Sequence, residues 1–276
     1  MKLQTVPPRQ GTLWVREGFR VFFKRPMSFA GLFAAFLFAV FSLALLPFIG
    51  PFLVLALLPL VSLAFMIATR RVVDGGFATP AVFVEPFRAP KARRIAMLQL
   101  GLIYAAATFL IMWLADVVDG GAFEALMNSL PAGTASSDAV ASPLVSPRLE
   151  LGLLLRFGLA ALLSVPFWHA PALVHWDGHG CAKALFSSTV ACWRNKGAFT
   201  IYSLTWAGVI MVLGALTNLV LALFGQFELI ALTAVPLSLI LSTVFYASLY
   251  FTFADCFGAS DTRIELPPPT LLKGPP

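Results

Sequence analysis

The chain has 276 residues, of which 59% are hydrophobic and only 12% charged, and its formal net charge is +6; an ordinary soluble domain carries about 25% charged residues. That shortage of charge excludes a soluble globular protein and indicates a membrane protein, whose 26 phenylalanines and 20 prolines suit packed, partly kinked spans and exclude collagen or a disordered chain. The basic residues fall in short bursts beside apolar runs and form no continuous patch, so they read as a topology signal and no nucleic-acid partner is expected.

The first element is the stretch GTLWVREGFRVFFKRP at residues 11–26. As a helix over about 11–25 it gathers Arg16, Glu17, Arg20 and Lys24 on one face, with Trp14, Val15, Phe19, Val21, Phe22 and Phe23 around the other. Such a helix is expected to lie in the membrane interface. Trp14 and its apolar neighbours would sink toward the acyl chains while Arg16, Arg20, Lys24 and Arg25 meet anionic lipid headgroups on the cytoplasmic side. The role expected first for such a helix is a topology anchor, ahead of a binding surface for a lipid or partner.

A hydrocarbon core of about 30 Å needs about 20 apolar helical residues per crossing. Six runs meet that length: Ser28–Leu46, Phe48–Thr69, Ile95–Ala115, Leu153–His175, Ala198–Phe224 and Leu229–Ala254. The predicted fold is therefore all-α, a polytopic membrane helix bundle with six transmembrane helices and amphipathic interfacial helices, in one membrane domain over 1–257. The first span follows more than 20 polar and amphipathic residues with no small-residue cleavage pattern after it, and is expected to be retained.

Lys and Arg concentrate on cytoplasmic loops. They cluster before the first span (Lys2, Arg9, Arg16, Arg20, Lys24, Arg25), after the second (Arg70, Arg71, Arg88, Lys91, Arg93, Arg94) and after the fourth (Lys183, Arg194, Lys196). The alternate loops are uncharged or acidic, with Asp116, Asp119, Glu124, Asp138 and Glu150 against Arg148 between the third and fourth spans. Both termini are thus expected in the cytoplasm of a bacterium, with the bundle in its inner (plasma) membrane. Residues 116–150 read as a flexible periplasmic loop, and 258–276 as a disordered cytoplasmic tail. Cys181, Cys192 and Cys256 all fall on the predicted cytoplasmic side, where thiols stay reduced, so no disulfide is expected.

Two units resemble each other. FFKRPMSF (22–29) aligns with CWRNKGAF (192–199), each a bulky residue and a basic turn leading to Phe29 or Phe199 at the start of a helical hairpin, and Pro59 and Pro236 fall inside the second helix of each hairpin. Interrupted helices at matching positions point to a transporter-like architecture with a central site. A chance likeness between lipid-facing sequences is the competing account.

The stretch WHAPALVHWDGHGC at 168–181 holds all three histidines. His175, Asp177, His179 and Cys181 supply metal-donor side chains at every second position, but in an extended strand they form a poor chelate, and Gly178 and Gly180 argue that any helix has ended. The structural reading is a span ending near His175 and Trp176 in a Gly-rich exit turn, with no metal or other cofactor. His169 lies deeper, about 10 Å inside the boundary by helical rise, between Pro166 and Pro171. It either lines a cavity or caps carbonyls freed by the prolines. Asn218, Pro59 and Pro236 are the other candidate cavity-lining residues. Arg156 is expected to snorkel, and Gly31, Ala35 and Ala39 form a small-residue stripe.

No acid falls in the middle of a predicted span, and no GxSxG, HExxH or P-loop occurs, so no enzymatic activity is expected. The pieces LWVREGFRVFFKRPMSF and APALVHWDGHGCAKALFSSTVACWRNKGAF, with markers Ala184, Leu185, Ser188, Cys192, Arg194 and Asn195, together resemble a family of six-span bacterial inner-membrane proteins that lends no firm activity. More distantly the chain is similar to the membrane domain of some glycerophosphodiester phosphodiesterases, which implies a scaffold or lipid-associated role. Three functions follow in order: a structural or assembly factor that contacts lipids and a membrane-protein partner or second copy, a small-solute or lipid transporter, and a metal handler.

Overall fold

The computed structural model describes residues 2–129, 147–225 and 229–258. Among the described residues every regular element is a helix, and six are long and apolar enough to cross a membrane. In chain order they are α1 (Gln10–Lys24), α2 (Pro26–Ala44), α3 (Gly50–Val73), α4 (Lys91–Asp119), α5 (Ala122–Ser129), α6 (Pro147–Phe167), α7 (Ala170–Asp177), α8 (Cys181–Arg194), α9 (Lys196–Leu223) and α10 (Leu229–Phe257), with two 3₁₀ turns at Pro80–Phe83 and Glu85–Arg88. The spans are α2, α3, α4, α6 with α7, α9, and α10.

The helix boundaries have local causes. Arg25 leaves helical geometry at φ −145° and ψ 62°, and Pro26 then opens α2, a position where its missing N–H costs nothing. Asn195, at φ −104° and ψ 21°, makes the matching one-residue break between α8 and α9. The two similar sequence units therefore share a layout of amphipathic helix, single-residue break and span. Gly178 takes a left-handed φ of 69° and ends α7, so the exit turn lies where the sequence predicts it.

α3 is the central helix, with 56% of its apolar window buried against 11–28% for the other spans. Its inner half carries Leu63, Phe65 and Met66, all fully buried. Around that half lie α1, α4, α7 and α10, so the tight core sits at the end of the bundle where the basic loops converge. The far halves of α2, α6 and α9 show Phe38, Phe41, Leu45, Phe157, Leu162, Leu216 and Leu223 on their outer surfaces. In a bilayer these side chains meet lipid tails and need no protein partner. The two described chain ends meet at the basic end, where the Gln4 N–H donates to the Cys256 carbonyl at 2.8 Å.

α1 departs from the sequence expectation. Its apolar face is turned into the protein, onto α9 and α10, and Trp14, Val15, Val21 and Phe22 are buried there. Trp14 is 1% exposed, packs at a tilt against Phe199 and edge-on to Tyr202, and donates its indole N–H to Asp255 Oδ2 at 2.8 Å. It is a core residue and touches no headgroup. Gly11 and Gly18 make the docking possible: a Cβ at Gly11 would stand 2.3 Å from the Ala198 carbonyl oxygen, and one at Gly18 2.7 Å from Ser248 Cβ. An amphipathic pattern cannot by itself distinguish a lipid partner from the flank of a neighbouring hairpin, because both are apolar.

The stretch between the third and fourth spans is also more ordered than expected. α4 continues to Asp119, α5 covers Ala122–Ser129 and α6 starts at Pro147, so 116–129 and 147–150 are helical or turn residues rather than a flexible loop. The middle of that expected loop, 130–146, and the expected tail from 259 onward lie outside the described residues.

Candidate functional site

Two prolines shape the break between α6 and α7. Pro166 and Pro171 cannot donate backbone N–H groups, so the ladder lapses between them and Trp168 and His169 form a turn. The Ser188 hydroxyl fills the gap, accepting from the His169 N–H at 3.0 Å and donating to the Val165 carbonyl at 3.0 Å. The break is thus bridged by a serine of α8 and not by the imidazole, whose Nε2 faces Thr252. Ser188 was legible only as a marker of resemblance, since nothing local in the sequence ties it to residue 165.

The His169 ring is fully buried among Phe199, Phe253 and Phe257. Thr252 fixes its tautomer. The Thr252 hydroxyl gives its single proton to the Leu249 carbonyl at 2.8 Å and accepts the Trp168 indole N–H at 3.2 Å, so His169 Nε2, also 3.2 Å away, must be a donor. His169 therefore carries a proton on Nε2, and Nδ1 has no partner among the described residues.

The other expected cavity residues do not join it. Pro59 is buried within α3, where Ser62 Oγ donates to its carbonyl at 2.9 Å. Asn218 is exposed and returns its amide to the Gly214 carbonyl of its own helix at 2.8 Å, and Pro236 is exposed on α10. Two openings lie at this end of the bundle, and neither is lined by His169, Asn218, Pro59 or Pro236. Among the described residues, neither opening brings those four residues together.

The metal-donor stretch also disperses. His179 Nε2 stands 2.9 Å from Asp177 Oδ2, His175 lies against Trp176, and Cys181 starts α8. Among the described residues no three His, Cys, Asp or Glu side chains gather about a common point. The turn at Gly178 pairs Asp177 with His179 and sends the chain into α8 without adding a third donor to that pair. Burial lowers the His179 imidazole pKa against the opposing pull of Asp177.

Of the residues expected at headgroups, Arg16 and Arg20 remain exposed, Arg20 being 3.7 Å from Glu17. Lys24 donates to the Val72 carbonyl at 3.0 Å, and Arg25 lies 4.0 Å from the Phe77 ring centre. These two hold α1 and the following turn to α3 and the loop after it.

Asn195 is the hub of the basic end. Its Oδ1 accepts the Val6 N–H at 2.8 Å, while Nδ2 donates to the Gln4 carbonyl at 3.0 Å and the Ala191 carbonyl at 3.1 Å and lies 3.4 Å from Cys256 Sγ. Asn195→Ala removes the side-chain partners of the Val6 N–H and the Gln4 carbonyl, at about 1–3 kcal/mol for each that water cannot reach, while the Ala191 carbonyl keeps the N–H of residue 195. Limited proteolysis will detect it as a cut near residues 4–9 that the parent chain resists; equal resistance would refute the role.

At the opposite end Arg156 does not snorkel. It is 5% exposed, and its guanidinium donates to Asp119 at 2.5 Å and to Asp116, with the Phe123 ring 4.4 Å away. The sequence signal for this cluster is a charge near the outer end of one span facing acids at the outer end of the span before it. It is missed when α4 is ended at Ala115.

The chain is 32% identical to a protein of Burkholderia thailandensis named "Probable inner membrane protein", over 263 residues that cover 95% of this chain and 96% of that one. No protein-family model matches the chain, and no solved structure does. The distant likeness to phosphodiesterase membrane domains gains no support from these comparisons. With six membrane-capable helices and a relative aligned along nearly its whole length, this chain is an integral membrane protein and belongs to the inner-membrane protein family represented by that Burkholderia protein.

Proposed function

We propose that the protein is a structural or assembly component of the inner membrane, with both termini cytoplasmic, and that it holds partners rather than passing a solute. The observation behind this reading is closure of the basic end. His169, Ser188, Thr252 and Asn195 are bonded to one another's elements, and none of them lines either of the two openings at that end. What that end offers outward is the free face of α8, with Phe186 71% and Trp193 72% exposed beside Arg194. Large exposed aromatics next to a cation are typical anchors for a protein partner or an interface. Native electrophoresis of gently solubilised membranes tests it. The parent chain is expected to run in an assembly that the Phe186→Ala, Trp193→Ala double variant reduces to the single chain; a single chain in both contradicts the proposal.

The orientation rests on the basic loops. Its test uses introduced thiols, because the three native cysteines are buried and burial pushes the Cys192 thiol up to about 12. In intact cells an impermeant maleimide is expected to label Glu124→Cys, with Lys91→Cys labelled only after permeabilisation. The reverse pattern would invert the topology.

A further inference from the structure

The larger opening at the basic end is a groove of about 580 Å³ between α4 and the start of α8, lined by Gln99, Leu102, Ile103, Gly180, Lys183 and Leu185 among others. That volume falls within the range of about 300–1,000 Å³ of sites that enclose small ligands. Its wall is apolar on the α4 side, where Leu102 and Ile103 are 43% and 45% exposed. Leu98 and Leu110 are exposed on the same helix, so the groove opens beside a lipid-facing surface.

Its rim has the opposite character. Lys183 is the charged residue in the lining, and no side chain caps the start of α8, whose N-terminal end carries a partial positive charge. Arg93 keeps a second positive charge close by. Its guanidinium donates to the His175 carbonyl at 3.0 Å and lies beside Gly178, two residues before the groove. An apolar trough ending in a cation and a helix N-terminus is complementary to an amphiphile with an apolar tail and an anionic head.

We propose that this groove holds an anionic glycerophospholipid, one acyl chain lying along Leu102, Ile103 and Leu185 and the phosphate meeting Lys183 and the first turn of α8. The site is separate from α1, and it stands whether or not the protein assembles with others. Lys183 and Ile103 both face outward, so substitutions there spare the core.

The test is a titration of the full chain in a neutral detergent with three probes: dioctanoyl phosphatidylglycerol, dioctanoyl phosphatidylcholine and glycerol 3-phosphate. Phosphatidylglycerol is expected to bind about tenfold more tightly than phosphatidylcholine, the size of one good charge-assisted contact, and glycerol 3-phosphate not at all. Lys183→Gln removes the preference, and Ile103→Trp, which fills the groove, removes binding of both lipids while leaving the lipid-free Tm unchanged. Equal binding of the two lipids overturns the proposal, as does phosphatidylglycerol binding that survives both substitutions. Binding of glycerol 3-phosphate alone would make this a phosphate site. A dimer that Ile103→Trp dissociates would show that the groove belongs to a second copy of the chain.

Discussion

Arg156→Leu is expected to cost about 3–5 kcal/mol of stability, the usual loss when one partner of a buried ion pair is removed. Asp119 bears the effect, because its side chain is fully buried, whereas Asp116 is 63% exposed and can turn to water. The substitution leaves an ionised Asp119 between α4 and α6 with its main counter-charge gone. Replacing both Arg156 and Asp119 by Leu should recover much of the loss, since an apolar pair of similar volume requires no desolvated charge. Thermal unfolding in detergent separates the outcomes. A single variant as stable as the parent, or a double variant no better than the single, would mean that the charges are hydrated and the cluster holds nothing.

Gly11→Val and Gly18→Leu together are expected to detach α1. At Gly11 the added Cβ meets a backbone oxygen at 2.3 Å, which no side-chain rotation relieves. Overpacking typically costs about 1–3 kcal/mol per site. α1 has another way out, because lifting off α9 and α10 relieves both clashes at once. It then exposes Trp14, Val15, Val21 and Phe22 and breaks the Trp14 and Gln10 bonds to Asp255. Hydrogen exchange across residues 10–24 reports this as lost protection, together with a red-shifted tryptophan emission. Retained protection would mean that α9 and α10 shift to admit the new side chains.

The six spans were legible because a bilayer imposes a length and a polarity on each one, and those constraints are written locally. So was the exit turn at Gly178, where a left-handed residue is needed. The partner of α1 was not legible, since Trp14 would be apolar and amphipathic in either environment. Nor was the Arg156 cluster, which joins residues 37 and 40 positions apart across an expected loop. The His169 turn shows both sides: Pro166 and Pro171 predict a broken helix, but nothing near them predicts that Ser188 repairs it. Long-range pairing in an apolar bundle is set by which helix neighbours which, and the individual spans are too uniform to encode it visibly.

The claim that the basic end is closed can be measured at its centre. His169→Cys places a thiol at that position, and a small water-soluble methanethiosulfonate reagent is applied from either side of the membrane. A closed scaffold predicts no modification over a time in which an exposed position such as Thr12→Cys reacts fully. Rapid modification at 169 would reveal a water path to the helix break, contradict the scaffold reading and restore a transport route.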